Sequence, residues 1–302
     1  MLLEKLGIHR PRTHPLIMGG AGTCKTFDPA RIGPLARAVD YLVIGSITVE
    51  PREGNTGRQE YFGEDGSGLN AWGMPNPGLA GRQSPATGNL IVSVAGFSVE
   101  DYIKLYDELS NWGRGIELNF GCPNAGHRIF SFDTHLMDQV LHYIWVEQRQ
   151  LGAPRPIIGV KLSPYSDPLA LSDAAGLFAD YTDTVDYVAV CNTFPDASGE
   201  LIDGSPAIKT DQMDNFGGAS GSTLRPISLG QAKKFRQKLP PEIEVIRVGG
   251  IESGLDLRAS ERAGCAGVQI VTAINMFGPK IVSGIREEYV DILEMEANSG
   301  TK

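Results

Sequence analysis

No apolar run in the chain approaches the roughly 18 consecutive residues that a membrane-spanning helix needs, and the opening stretch MLLEKLGIHRPRTH lacks the long apolar core of a secretory leader. A cytoplasmic protein with no membrane partner is the expectation. The four cysteines, Cys24, Cys122, Cys191 and Cys265, lie far apart with no C-x-x-C pair among them. Neither zinc nor an iron–sulfur cluster therefore has a ligand set, and any special role falls to a single thiol. The five histidines have no metal-ligand spacing and supply no Ser-His-Asp order, so no metal is expected. Positive charge is also scarce: 27 Lys and Arg stand against 36 Asp and Glu, a net charge of −9. Polyanion binding depends on clustered cations that replace counterions. Nucleic acid is thus not an expected partner, and the acidity reads as a solubility device.

The composition, 41% hydrophobic and 21% charged, is that of an ordinary globular protein with a sizeable core. Short apolar, β-branched runs recur at 15–19 (PLIMG), 41–46 (YLVIGS), 89–96 (NLIVSVAG), 115–121 (GIELNFG), 156–162 (PIIGVKL), 187–193 (YVAVCNT), 244–250 (EVIRVGG) and 266–273 (AGVQIVTA). Stretches of helical period, such as VEDYIKLYDELSNW and THLMDQVLHYIWVEQRQ, separate most of them. Eight buried strands alternating with helices predict an α/β fold, a closed (β/α)8 barrel; an open doubly wound sheet is the alternative that periodicity leaves standing. Two connections, 47–88 and 194–224, exceed what a βα loop needs and predict functional insertions at the C-terminal face of the barrel. No linker, repeat or low-complexity tract divides the sequence, so a single domain over 1–302 is expected.

In such a barrel the working surface is the ring of strand C-termini. There the sequence places Gly19-Gly20-Ala21-Gly22 after the first strand and Asn119-Phe120-Gly121-Cys122-Pro123-Asn124 after the fourth. Lys161 ends the fifth, Asn192-Thr193 the sixth, Gly249-Gly250 the seventh and Thr272-Ala273 the eighth. Gly249, Gly250 and Thr272 suit a phosphate, because glycine lets backbone N–H groups approach closely; a simple turn is the plainer alternative. Lys161 interrupts an apolar strand, where an unpaired ammonium costs several kcal/mol, on the order of a desolvated charge. It therefore either snorkels to water or meets an electron-rich ligand, for which the N1/O2 edge of a flavin is suited.

Cys122 lies in a Gly-Cys-Pro-Asn turn, where a thiol of ordinary pKa near 8.5 can exchange a proton at neutral pH. A buried structural cysteine is the competing reading. Asn119 and Asn124 flank it, Asn70 falls in the first insertion, and Asn192 follows the sixth strand. Together these amides could hold a planar ring of alternating C=O and N–H groups, although singly each is an ordinary turn residue.

Through Pro51-Arg52-Glu53-Gly54-Asn55, Leu69-Asn70-Ala71-Trp72-Gly73-Met74-Pro75-Asn76-Pro77-Gly78, Glu117-Leu118-Asn119-Phe120-Gly121-Cys122-Pro123-Asn124, Gly159-Val160-Lys161-Leu162, Gly217-Gly218-Ala219-Ser220-Gly221 with Arg225-Pro226, and Gly249-Gly250-Ile251-Glu252-Ser253-Gly254, the sequence resembles the class 1 dihydroorotate dehydrogenases from about residue 15 to about 290. The resemblance implies a TIM barrel with FMN at its mouth. It implies cofactor contacts at Gly20, Ala21, Gly22, Ser46, Asn70, Asn119, Lys161, Ser220, Gly221, Gly249, Gly250, Thr272 and Ala273. Pyrimidine contacts would come from Asn70, Trp72, Gly73, Met74, Asn119, Asn124, Asn192 and Thr193. It further implies that Cys122 removes a proton from C5 of dihydroorotate while hydride leaves C6 for flavin N5, in a step of pyrimidine biosynthesis.

The chain departs from that family at three places. Gly45 stands where the family has a lysine after the second strand, Gly121 replaces a serine, and Val271 replaces a glycine. A divergent substrate, another dihydropyrimidine or small unsaturated cyclic amide, is the runner-up that the first change favours. A tRNA-dihydrouridine synthase shares barrel, flavin and an Asn-x-Gly-Cys-Pro segment, but the acidity and the lack of cysteine in 125–190 oppose it. An inactive barrel kept as a scaffold is a third reading. A small-molecule substrate and a homodimer are expected, with an electron-transfer subunit as a further partner that the resemblance allows.

Overall fold

The computed structural model describes residues 14–24, 28–82, 88–122, 129–151 and 155–299. Eight parallel strands close into a barrel: β1 (Leu16–Gly19), β2 (Tyr41–Ile47), β5 (Leu90–Val94), β6 (Gly115–Asn119), β7 (Ile157–Leu162), β8 (Tyr187–Val190), β11 (Glu244–Val248) and β12 (Gly267–Ile270). Each occupies one of the eight apolar runs. The ring closes where β1 pairs with both β12 (Leu16↔Gly267) and β2 (Met18↔Tyr41). This closure excludes the open sheet that periodicity alone permitted.

Both faces of every barrel strand are covered, which is why the runs are continuous rather than alternating. Outward residues such as Val92, Ile116, Leu118, Val160 and Val188 pack in one large cluster against the surrounding helices. Inward residues such as Met18, Tyr41, Val43, Ile157, Tyr187 and Ile246 fill the barrel itself.

The helices are α1 (Pro29–Ala38), α2 (Val99–Leu109), α3 (Thr134–Leu151), α4 (Pro168–Ala179), α5 (Arg225–Lys238), α6 (Gly254–Arg262), α7 (Thr272–Phe277) and α8 (Ile281–Ser299). Several start where a side chain caps the first free N–H groups. Ser98 accepts from Asp101 N at 3.2 Å, Asp167 from Leu169 N at 2.8 Å, and Ser253 from Asp256 N at 3.1 Å. Asp256 Oδ2 in turn accepts from Ser253 Oγ at 2.8 Å and from Glu252 N at 3.1 Å, which fastens the start of the helix.

The two long insertions form structure jointly. The first contributes β3 (Glu60–Phe62) and β4 (Ser67–Asn70), the second β9 (Phe194–Ala197) and β10 (Gly217–Gly221), in one antiparallel sheet of order β3-β4-β10-β9. Pairing of β4 with β10 sets Asn70 opposite Gly218 and Gly68 opposite Ser220. A small core of Leu69, Ala71, Ala207, Ile208 and Ala219 seals this sheet. Both insertions leave from strand C-termini, so the sheet stands over the barrel mouth.

Candidate active site

One cavity occupies that mouth, with a volume of about 1180 Å³ including the part open to solvent. Of the residues expected to touch cofactor or substrate, the cavity is lined by Ala21, Gly22, Ser46, Asn70, Trp72, Gly73, Met74, Asn119, Cys122 and Lys161 on one series of loops. Asn192, Thr193, Ser220, Gly221, Gly249, Gly250, Thr272 and Ala273 line the remainder. Two expected residues are not among them. Asn124 lies outside the described residues. Gly20 does not line the cavity: its N–H donates to Ile270 O at 3.0 Å, and its carbonyl accepts from Thr23 N and Oγ1. Its backbone is thus committed to closing the turn after β1.

The strand ends are cross-linked by side chains. Asn192 Nδ2 donates to Asn119 Oδ1 at 3.0 Å, Asn119 Nδ2 donates to Ser46 Oγ at 2.9 Å, and Ser46 Oγ lies 2.8 Å from Ser93 Oγ. Gly121 N also donates to Asn119 Oδ1, at 3.3 Å. These bonds fix the rotamers of two of the amides across β8, β6 and β2, a rigid edge for a planar ligand. Cys122 follows directly and is half-buried, whereas Cys24, Cys191 and Cys265 are buried.

The loop Ala71–Met74 is oriented from behind. Ala71 O accepts from Asn55 Nδ2 at 2.8 Å, Trp72 O from Asn55 N at 2.9 Å, and Gly73 O from Arg52 Nε at 3.0 Å. Held in this way, Trp72, Gly73 and Met74 line the cavity.

Lys161 is 4% exposed and lines the cavity. It has no direct hydrogen-bond or ion-pair partner among the described residues. A buried ammonium in that condition is costly, so its position suits an electron-rich group bound in the cavity. At the other end, backbone from Gly221, Gly249, Gly250 and Thr272 converges. A Cβ at Gly250 would lie 2.6 Å from Arg225 Cα, at a φ of +70°. Only glycine fits the backbone there.

Beneath this floor sits a polar group that the motif reading passed over. Glu117 is fully buried inside the barrel; its Oε2 accepts from Tyr187 OH at 3.0 Å and from Gln269 Nε2. Burial pushes its carboxyl above the usual range, while the Lys161 ammonium and the bonds from Gln269 and Tyr187 draw it back. Gly159 makes room for the arrangement, because a Cβ there would lie 2.1 Å from the Tyr187 ring. The signal was present, since an acid inside GIELNFG raises the same burial question as Lys161. Glu60, Phe62 and Gly66 also line the cavity but carried no signal, because their placement depends on the pairing of the two insertions; Glu252, just after Gly249-Gly250, lines it as well.

Comparison with known proteins agrees with this geometry. The family model "Dihydroorotate dehydrogenase" matches residues 15–293. The chain belongs to the dihydroorotate dehydrogenase family. Among curated relatives, dihydroorotate dehydrogenase A (fumarate) of Lactococcus lactis subsp. cremoris strain MG1363 is 27% identical over 296 residues, covering 94% of this chain and 91% of that protein. The protein of the same name from L. lactis subsp. lactis strain IL1403 is 27% identical over 294 residues, covering 93% and 91%. In fold, the chain matches a crystal structure of DHODH from Eimeria tenella in complex with ferulenol, with a TM-score of 0.76 at 19% identity, covering 93% of this chain and 82% of that one. Membership makes the chain a dihydroorotate dehydrogenase-like oxidoreductase acting on a CH–CH bond. Among the described residues no helix is long and apolar enough to cross a membrane, and no group of three or more His, Cys, Asp or Glu could hold a metal ion.

Proposed function

We propose that the protein oxidises dihydroorotate to orotate with FMN in the barrel mouth and Cys122 as general base. The observation that carries this reading is the convergence on one cavity of a half-buried thiol, Cys122, and a buried cation, Lys161, that lacks a direct partner among the described residues. The residues present fit FMN: Gly221, Gly249, Gly250 and Thr272 would hold its phosphate, and Lys161 would face its ring. When bound, the flavin supplies the hydride acceptor. Asn70, Asn119, Asn192 and Thr193 would hold the pyrimidine by its alternating donors and acceptors, with Asn124 as a further contact. Trp72, Gly73 and Met74, which line the cavity, would flank the substrate, and the Cys122 thiolate would take the C5 proton.

The runner-up substrate is an uncharged dihydropyrimidine. Gly45 favours it, since no cation stands at the end of β2. In either case we place the protein in the cytoplasm as a single-domain homodimer, with an electron-transfer subunit as an optional partner. Purified protein should be yellow, and anaerobic L-dihydroorotate should bleach it. Flavin that stays oxidised with dihydroorotate and bleaches with dihydrouracil would replace the first substrate by the second. A colourless protein that takes up no FMN would overturn both.

A further inference from the structure

The barrel interior holds two ionisable groups of opposite sign on neighbouring strands. β6 and β7 run in register with Asn119 opposite Lys161 and Glu117 opposite Gly159. Glu117 therefore lies one inward layer below Lys161, farther from the cavity. Both are almost wholly buried, at 0% and 4% exposure. They make no direct ion pair but are near enough to act on one another through the interior. A buried charge without compensation is unstable, and Glu117 is an acidic side chain inside the barrel on which Lys161 acts.

The carboxylate is itself held in place. Tyr187 OH from β8 and Gln269 Nε2 from β12 both donate to its Oε2, while the buried Oε1 has no hydrogen-bond partner among the described residues. We infer that Glu117 is the buried counter-charge of Lys161, a positioning residue that sets how much positive charge the cavity floor presents to a bound flavin. This rests on the FMN reading above. Reduction places negative charge on the N1/O2 edge of the flavin, and a net cation nearby favours the reduced form. To the extent that Lys161 holds it ionised against burial, Glu117 offsets part of that effect and keeps the potential lower than Lys161 alone would set it. One unit of charge at roughly 10 Å, with an effective dielectric near 20, is worth on the order of tenfold in an equilibrium.

The experiment is the midpoint potential of bound flavin at pH 7, by dye-coupled equilibrium titration of the holoprotein. Glu117→Gln, which keeps shape and removes charge, should raise the potential by about tenfold in the reduction equilibrium, or about 30 mV for a two-electron couple. Lys161→Met should lower it. Should Glu117→Gln fail to fold, Tyr187→Phe keeps the ring, removes one donor from the carboxylate and should shift the potential upward by less. A Glu117→Gln or Tyr187→Phe protein that binds flavin with unchanged or lowered potential would overturn the inference. Failure of the unaltered protein to bind FMN would instead sink the cofactor reading on which it rests.

Discussion

Asn192 and Asn119, 73 residues apart in sequence, share a hydrogen bond of 3.0 Å in which Nδ2 of the first donates to Oδ1 of the second. The bond joins the end of β8 to the end of β6, and Asn119 extends it to Ser46 near the end of β2. Each amide is thereby oriented by a neighbour and keeps its remaining groups for a ligand.

Replacing Asn119 by Ala removes one member from this chain and strands the partners on either side. Unsatisfied polar groups of this kind cost roughly 1–3 kcal/mol each. The rate of flavin reduction by substrate should therefore fall by about 10- to 100-fold, while Asn192→Ala, at the end of the chain, should lose less. Anaerobic stopped-flow absorbance of both variants measures the difference; equal effects would show that the chain does not act as a unit.

A second prediction separates Cys122 from the other thiols. Burial pushes Cys191 and Cys265 up to about 12, so at pH 8 both stay protonated and inert, and Cys24 is buried as well. Iodoacetamide at that pH should label Cys122 alone, and bound orotate should protect it, as peptide mass spectrometry can establish. Cys122→Ala should lower the reduction rate by roughly 10²- to 10⁴-fold, the usual worth of a positioned base. The raised thiols also bear on stability, since both are more strongly protonated folded than unfolded. Their contribution is intact below about pH 9 and is lost as pH rises toward 12. Chemical denaturation at pH 8 and pH 10.5 should show the fall, and the double variant Cys191→Ala/Cys265→Ala should show a smaller one.

Gly45 cannot accept the family's lysine. Its φ is +112°, and a Cβ would lie 2.6 Å from Ser93 O, a backbone atom that cannot yield without moving β5. Strain of this sort costs on the order of 1–3 kcal/mol. Gly45→Lys should lower the melting temperature by several degrees, roughly as such a cost predicts, and should not tighten orotate binding. Calorimetry and ligand titration test the two parts separately.

Gly250 gives the corresponding test at the phosphate end. Gly250→Ala drives a Cβ against Arg225 Cα in a left-handed backbone. Arg225 cannot easily retreat, because its Nε donates to Gly250 O at 3.1 Å and pairs with Asp256 at 3.0 Å. The variant should release FMN at least tenfold more readily, as the quench of free flavin fluorescence will report. Retention equal to the unaltered protein would remove Gly250 from the cofactor site.

The eight apolar runs and their helical spacers determined an α/β fold of eight buried parallel strands, because a parallel strand buried on both faces must be apolar throughout. The same logic marked Lys161, and the strand-end positions marked Cys122 and the asparagines. Closure was decided by the pairing of β1 with both β2 and β12, which alternation cannot express. The union of the two insertions, which faces Gly68 toward Ser220 and brings Glu60 and Phe62 to the cavity, depends on antiparallel register between segments about 150 residues apart. The clasp of Tyr187 and Gln269 on Glu117 likewise requires three strands to meet inside a cylinder. Local pattern records which side of a strand is buried; only the closed fold decides which buried groups face one another.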